Sequence, residues 1–138
     1  MTGYLHDGPQ TLDADASWDL VEGTHVARLA VSVRGEPDIY PVTVRAHGRT
    51  LAFRTVPGTK LATIATNERV ALEWDHVDDD GAWSVVARGT AHRLRTEHEA
   101  AALEDDDPLV PTVDVPTEEW VVVEARELTG RRFSRPEG

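Results

Sequence analysis

The 138-residue chain contains no cysteine, which removes disulfide frameworks, thiolate metal sites and thiol nucleophiles together. Cations are scarce: 14 Lys and Arg face 25 Asp and Glu, giving a formal charge of −11 and a pI near 4.8. A field of that sign repels phosphate backbones and anionic lipid surfaces, so neither nucleic acid nor a membrane is an expected partner. No stretch approaches the roughly 18 apolar residues of a membrane span, and Met1 to Gln10 lacks the basic start and apolar run of a secretory signal. A cytoplasmic location is expected.

Familiar hydrolytic signatures are also missing. There is no HExxH, and His6, His25, His47, His76, His92 and His98 show no metal-ligand spacing, so no metal is expected. No GxSxG surrounds Ser17, Ser32, Ser84 or Ser134. The runs Asp78 to Asp80 and Glu104 to Asp107 read as solvated loops.

What remains is one domain of ordinary globular composition, 40% hydrophobic and 28% charged. Residues 1–16 read as a flexible arm, 17–133 as the folded domain and 134–138 as a tail. Ser17 is a candidate cap for a short helix running to Glu22 and ended by Gly23. From Thr24 to Val33 the period changes to two, with Ala27, Leu29, Val31 and Val33 on one face. Turn chemistry at Arg34 to Asp38 leads to a strand over Ile39 to Ala46, and His47 to Arg49 turns into Thr50 to Thr55.

Pro57 to Asn67 breaks the alternation with Leu61, Ile64 and Ala65 at helical spacing. Strands are expected over Arg69 to Asp75, Ala82 to Leu94 and Trp120 to Leu128, with Trp74 and Trp83 paired across the acidic turn. A second helix is expected at Thr96 to Glu104, followed by a Pro-interrupted loop over Asp107 to Pro116. Six strands joined by short turns favour a mainly β, antiparallel barrel with peripheral helices, because closure removes exposed edges.

Chemistry concentrates in Phe53-Arg54-Thr55-Val56-Pro57-Gly58-Thr59-Lys60. Two hydroxyls and an ammonium stand where a helix begins, and backbone amides at a helix N-terminus favour anions. The segment is not a Walker loop, since its first Gly is missing and Leu61 replaces the magnesium-binding hydroxyl. Lys60 is the only lysine beside thirteen arginines; an exposed helix residue without a ligand satisfies the same spacing. Arg28, mid-strand, needs a partner if buried, and a ligand phosphate or a carboxylate would each serve.

Six segments in order, Val26 to Ala30, Pro37 to Val42, Leu51 to Thr55, Gly58 to Leu61, Trp83 to Gly89 and Gly130 to Phe133, resemble the pyridoxamine 5′-phosphate oxidase-like, flavin-binding split-barrel family, particularly its short actinobacterial-type members. The resemblance implies a six-stranded split barrel and a homodimer with FMN in the groove between subunits. It places Arg28, Leu29, Ala30 and Val31 along the flavin ring, Phe53, Arg54 and Thr55 at ring and tail, and Thr59 and Lys60 on the phosphate. Trp83, Ser84, Arg88, Arg131 and Arg132 are further cofactor candidates.

Ala27 stands where relatives often carry Gly, and the substrate-binding residues of the true oxidases have no counterpart, so vitamin B6 oxidation does not carry over. The catalytic residues and substrate stay open. The resemblance implies an FMN-dependent oxidoreductase, with Arg28 as the cation beside the reduced ring. Alternatives are a deazaflavin-dependent reductase, with Arg131, Arg132 and Arg135 meeting a longer acidic tail, and a non-catalytic flavin- or haem-binding barrel. Dimerisation is also expected from Trp120 and Val121 to Val123, more apolar surface than a small barrel readily buries.

Overall fold

Alternating inward residues build the barrel. In β2 (Val26–Val33), Ala27, Leu29 and Val31 are at most 3% exposed, whereas Val26 is 63% exposed on the other face. The same alternation continues in β3 (Glu36–His47), β4 (Thr50–Thr55), β5 (Arg69–Asp78), β6 (Gly81–Arg93) and β7 (Glu119–Ser134). These belong to a computed structural model that describes residues 9–94 and 119–134. The expected helix at Thr96 to Glu104 and loop at Asp107 to Pro116 lie outside the described residues.

All pairings are antiparallel, in the order β7-β4-β3-β2-β5-β6 with β6 returning to β7, which closes a six-stranded ring. One edge of β7 follows β6 from Ser134 to Val121. Its other edge meets β4 through Glu119 to Glu124 and then a short seventh strand, β1 (Gln10–Leu12), through Gly130 to Arg132. The expected six-stranded split barrel is present, with one strand added outside the ring. Trp74, Phe53, Leu29, Leu51, Leu72, Val85, Val121 and Val123 are almost fully buried inside it. Burial of each such side chain contributes about 1.5–3 kcal/mol.

Helices α1 (Ala14–Glu22) and α2 (Thr59–Thr66) add Trp18 and Val21, and Leu61 and Ile64, to the same core. The start of α1 differs from the sequence expectation. Asp13 caps it, its carboxylate accepting from the Ala16 amide at 2.8 Å, while Ser17 is buried inside the helix and donates back to the Asp13 carbonyl. A carboxylate three residues ahead of a free amide outcompetes a hydroxyl already within the first turn. With Gln10 to Leu12 paired to β7, the segment read as a loose arm is tied down from residue 10. Asp13→Ala is expected to lower stability by about 1 kcal/mol, read as a reduced urea midpoint with unchanged slope.

Two turns are tighter than expected. Arg34 and Gly35, at φ 54° and 80°, connect β2 to β3 with only two residues, as Gly48 and Arg49 do for β3 and β4. Such left-handed pairs match the twist of adjoining strands. In the acidic hairpin, the Asp78 carboxylate accepts from the amides of Asp80 and Gly81. Its register pairs His76 with Trp83 and Trp74 with Val85, so the expected Trp74–Trp83 pair is replaced by a tilted His76–Trp83 contact at 6.4 Å.

The strand expected to end at Leu128 runs on to Ser134. A bulge interrupts its pairing with β6: Arg88 opposes Glu127, but Gly89 opposes Ala125, leaving Arg126 as the extra residue. Trp120 and Val121 to Val123 are all below 9% exposed, so the apolar end of β7 is buried within one chain and does not supply the subunit surface it suggested.

Candidate functional site

The segment from Phe53 to Lys60 passes from β4 into α2. Phe53 points into the barrel and is fully buried, and Arg54, on the opposite face, stacks its guanidinium 5.7 Å from the Trp120 ring. Thr55 is buried and its hydroxyl donates to the Val56 carbonyl at 3.3 Å. Gly58 then enters α2 in extended conformation; no side chain caps the helix, and the space where a Gly58 side chain would stand is open. The first-turn amides of such a helix lack internal acceptors and carry the positive end of its dipole.

Lys60 sits in that first turn, its ammonium 5.1 Å from the centre of the Tyr40 ring. Partial burial pushes its pKa below the ordinary lysine range, which makes it an ammonium short of solvation. The ring face compensates in part. Uncapped amides, the exposed Thr59 and Lys60 therefore share the first turn of α2, beside open space at Gly58, a set of groups that suits a phosphoryl group. Tyr40 was not apparent from sequence: it alternates inward with Val42 and Val44, and only the fold brings α2 over it.

Arg28 lies elsewhere, on the outer face of β2. Its guanidinium donates to Glu73 at 2.8 Å and Asp75 at 3.1 Å, two carboxylates on the same face of β5. Asp75 and Glu73 hold the Arg28 pKa up, chiefly through those hydrogen bonds. Burial, then the hydrogen bond with Asp75, raises the Glu73 pKa; the hydrogen bond with Glu73, then Arg28, lowers that of Asp75. Of the two partners that Arg28 could take, the chain supplies carboxylates, and its charge is already matched.

Leu29 and Val31 face the core and are at most 3% exposed, so only their backbone can meet an external ligand. Ala30 and Arg88 share an outer row with Ala71 and Glu127. Arg131 and Arg132 are exposed near the end of β7, paired with Ser84 and Trp83. The candidates thus divide into the α2 entrance, the outer face of the sheet, and the end of β7. Among the described residues no group of three or more His, Asp or Glu is placed to hold a metal ion, and no helix is long and apolar enough to cross a membrane.

Residues 13–132 match the protein family described as pyridoxamine 5′-phosphate oxidase. The FAD-binding protein from Mycobacterium smegmatis is similar at 35% identity and a TM-score of 0.78, over 91% of this chain and 99% of that one. A candidate pyridoxamine 5′-phosphate oxidase from Corynebacterium glutamicum is similar at 31% identity and a TM-score of 0.83, over 94% and 96%. An FAD-binding protein from Mesorhizobium loti, 22% identical with a TM-score of 0.80 over 92% and 99%, shares the fold. No curated protein matches the sequence.

Proposed function

The chain belongs to the pyridoxamine 5′-phosphate oxidase family, and from that premise we propose that it binds a flavin, specifically FMN, and serves as an oxidoreductase. The observation that carries the proposal is the entrance of α2: uncapped amides beside open space at Gly58, with the chain's single lysine half-buried over Tyr40. These groups fit a phosphate. Thr59 and the first-turn amides would donate to its oxygens, and Lys60 would supply the matching charge.

FMN, when bound, supplies hydride and electron transfer that no side chain of the protein can perform. The protein's part is to hold and orient. The backbone of Leu29 and Val31, with Ala30, would carry the ring along β2, and Thr55 would meet the tail. Arg28 is not available as a free cation, because Glu73 and Asp75 hold it; its role is to fix the charge pattern of that face. An FAD site is the second reading, favoured by the 35% identical FAD-binding relative.

The proposal includes a homodimer. Val26 and Ile39 are 63% and 67% exposed and lie on one outer face of the β2–β3 hairpin, since Ile39 pairs with Ala30 and Val26 with Thr43. A second copy would cover that face.

Titration of the purified protein with FMN, FAD and a deazaflavin, followed by absorbance and fluorescence quenching, tests the cofactor. Saturable uptake of FMN, preferred over the other two, is expected. Preference for FAD or deazaflavin would replace FMN, and uptake of none would end the flavin reading. Reduction of bound flavin by a nicotinamide donor would separate an oxidoreductase from a storage barrel, and light scattering reports the dimer.

A further inference from the structure

Side-chain amines are all but absent from this chain. Thirteen of its fourteen cationic side chains are guanidinium groups, which stay protonated at ordinary pH and accept no acyl group, so Lys60 is the single side-chain amine. Other cations of the barrel are met by carboxylates: Arg28 by Glu73 and Asp75, Arg49 by Asp15, and Arg93 by Glu119. Lys60 is treated differently. The chain holds 25 Asp and Glu, yet among the described residues Lys60 makes no ion pair, and its ammonium faces the Tyr40 ring at 5.1 Å.

The fold accounts for this. Helix α2 carries no acidic residue, buried Leu61 and Ile64 anchor it on the barrel, and Tyr40 is packed against the same core. A ring face attracts an ammonium less strongly than a carboxylate does, so the cost of burial is only partly offset. Burial accordingly holds the Lys60 pKa below the ordinary lysine range, and more of the amine is present as the nucleophilic free base than in an exposed lysine. The amine stays reachable. Lys60 is only partly buried, Gly58 and Thr59 beside it are exposed, and a side chain at Gly58 would meet nothing within 4 Å.

We propose that Lys60 is an acylation site, its amine taking the acyl group of a small thioester, and that acylation releases a bound flavin; the second half rests on the phosphate site proposed at α2. The amine nitrogen adds to the thioester carbonyl, an N–C bond forms as the C–S bond breaks, and the proton lost by nitrogen leaves with the thiol. Nothing is oxidised or reduced. The product is a neutral amide, which costs less to bury beside Tyr40 than an ammonium does. It also lacks the charge that would balance a phosphate, so one covalent step removes the cation from the first turn of α2.

The test is acetyl transfer to the full-length, flavin-free protein from S-acetyl-N-acetylcysteamine, an uncharged thioester that no phosphate site recruits. Nα-acetyl-lysine amide in the same solution is the reference amine, and peptide mass spectrometry reads Lys60 and the amino terminus separately. Lys60 is expected to react about threefold or more faster than the reference. Tyr40→Leu, which keeps the burial and removes the ring's attraction for the ammonium, should react faster still. The acetylated protein should keep its urea midpoint and bind FMN about ten- to a hundredfold more weakly, and FMN added first should slow acetylation at Lys60 alone. Acetylation of Lys60 no faster than that of the reference amine would overturn the proposal, whatever FMN does. Rapid acetylation that neither weakens FMN binding nor is slowed by FMN would keep Lys60 as the acylation site and overturn both flavin release and the placing of the flavin phosphate at α2.

Discussion

Gly89→Ala is expected to destabilise the protein by roughly 4 kcal/mol, enough to lower the melting temperature by on the order of 10 °C. The added Cβ would lie 1.9 Å from the Glu124 carbonyl oxygen, 2.7 Å from its carbon and 2.9 Å from the Ala125 Cα. All three are backbone atoms of β7, the strand that closes the ring through β6 and also pairs with β4 and β1. A flexible side chain could swing away; a strand held on both edges cannot. Gly58→Ala is the control, because its Cβ meets nothing within 4 Å, and little change in melting temperature is expected. If Gly89→Ala melts with the wild type, β6 and β7 do not approach as described.

The bulge beside Gly89 also shows where sequence reading stops. Glycine within an otherwise β-rich run, Ala87-Arg88-Gly89-Thr90, is a recognisable sign of a bulge or close approach. The residue it approaches depends on register between strands separated by Leu94 to Glu118 in sequence, and no local pattern encodes that distance. The place of Arg126 as the unmatched residue of the bulge consequently has no local signal in the sequence. Alternation in β2, by contrast, was legible because period two is a property of one strand alone, and Ala27, Leu29 and Val31 are inward as expected. Ser17 misled as a cap because a hydroxyl before apolar residues and a hydroxyl one turn inside a helix look alike; the preceding Asp13 decides between them.

The candidate site was legible in its chemistry and not in its assembly. Pro57 to Lys60 announced a helix start with phosphate-binding groups, and α2 does begin at Thr59. Arg28 was equally visible, but its partners come from β5, and the pairing Arg28 with Glu73 exists only once the barrel closes. The expectation that β7 would show apolar surface failed for the same reason. Trp120 and its valines found cover within the chain, whereas the exposed apolar residues Val26 and Ile39 belong to a hairpin whose outward positions carried no such signal.

Lys60→Met is expected to weaken FMN binding by about ten- to a hundredfold while leaving the barrel folded. One charge-assisted contact contributes roughly 1.5–3 kcal/mol, and methionine preserves most of the apolar stem beside Tyr40. The pH dependence gives a second, sharper readout. Burial lowers the pKa of Lys60 in the free protein, while a bound dianion favours the ammonium and raises it again. Binding is therefore linked to proton uptake at Lys60, and affinity falls as pH rises through the lowered pKa of the free protein. That alkaline limb should begin below the usual lysine range in the wild type and be absent from Lys60→Met. At the acid side both proteins should lose affinity below pH of about 6, where the phosphate itself takes a proton. Equal FMN affinity and the same alkaline limb in both proteins would place the flavin phosphate away from α2, even if the flavin binds.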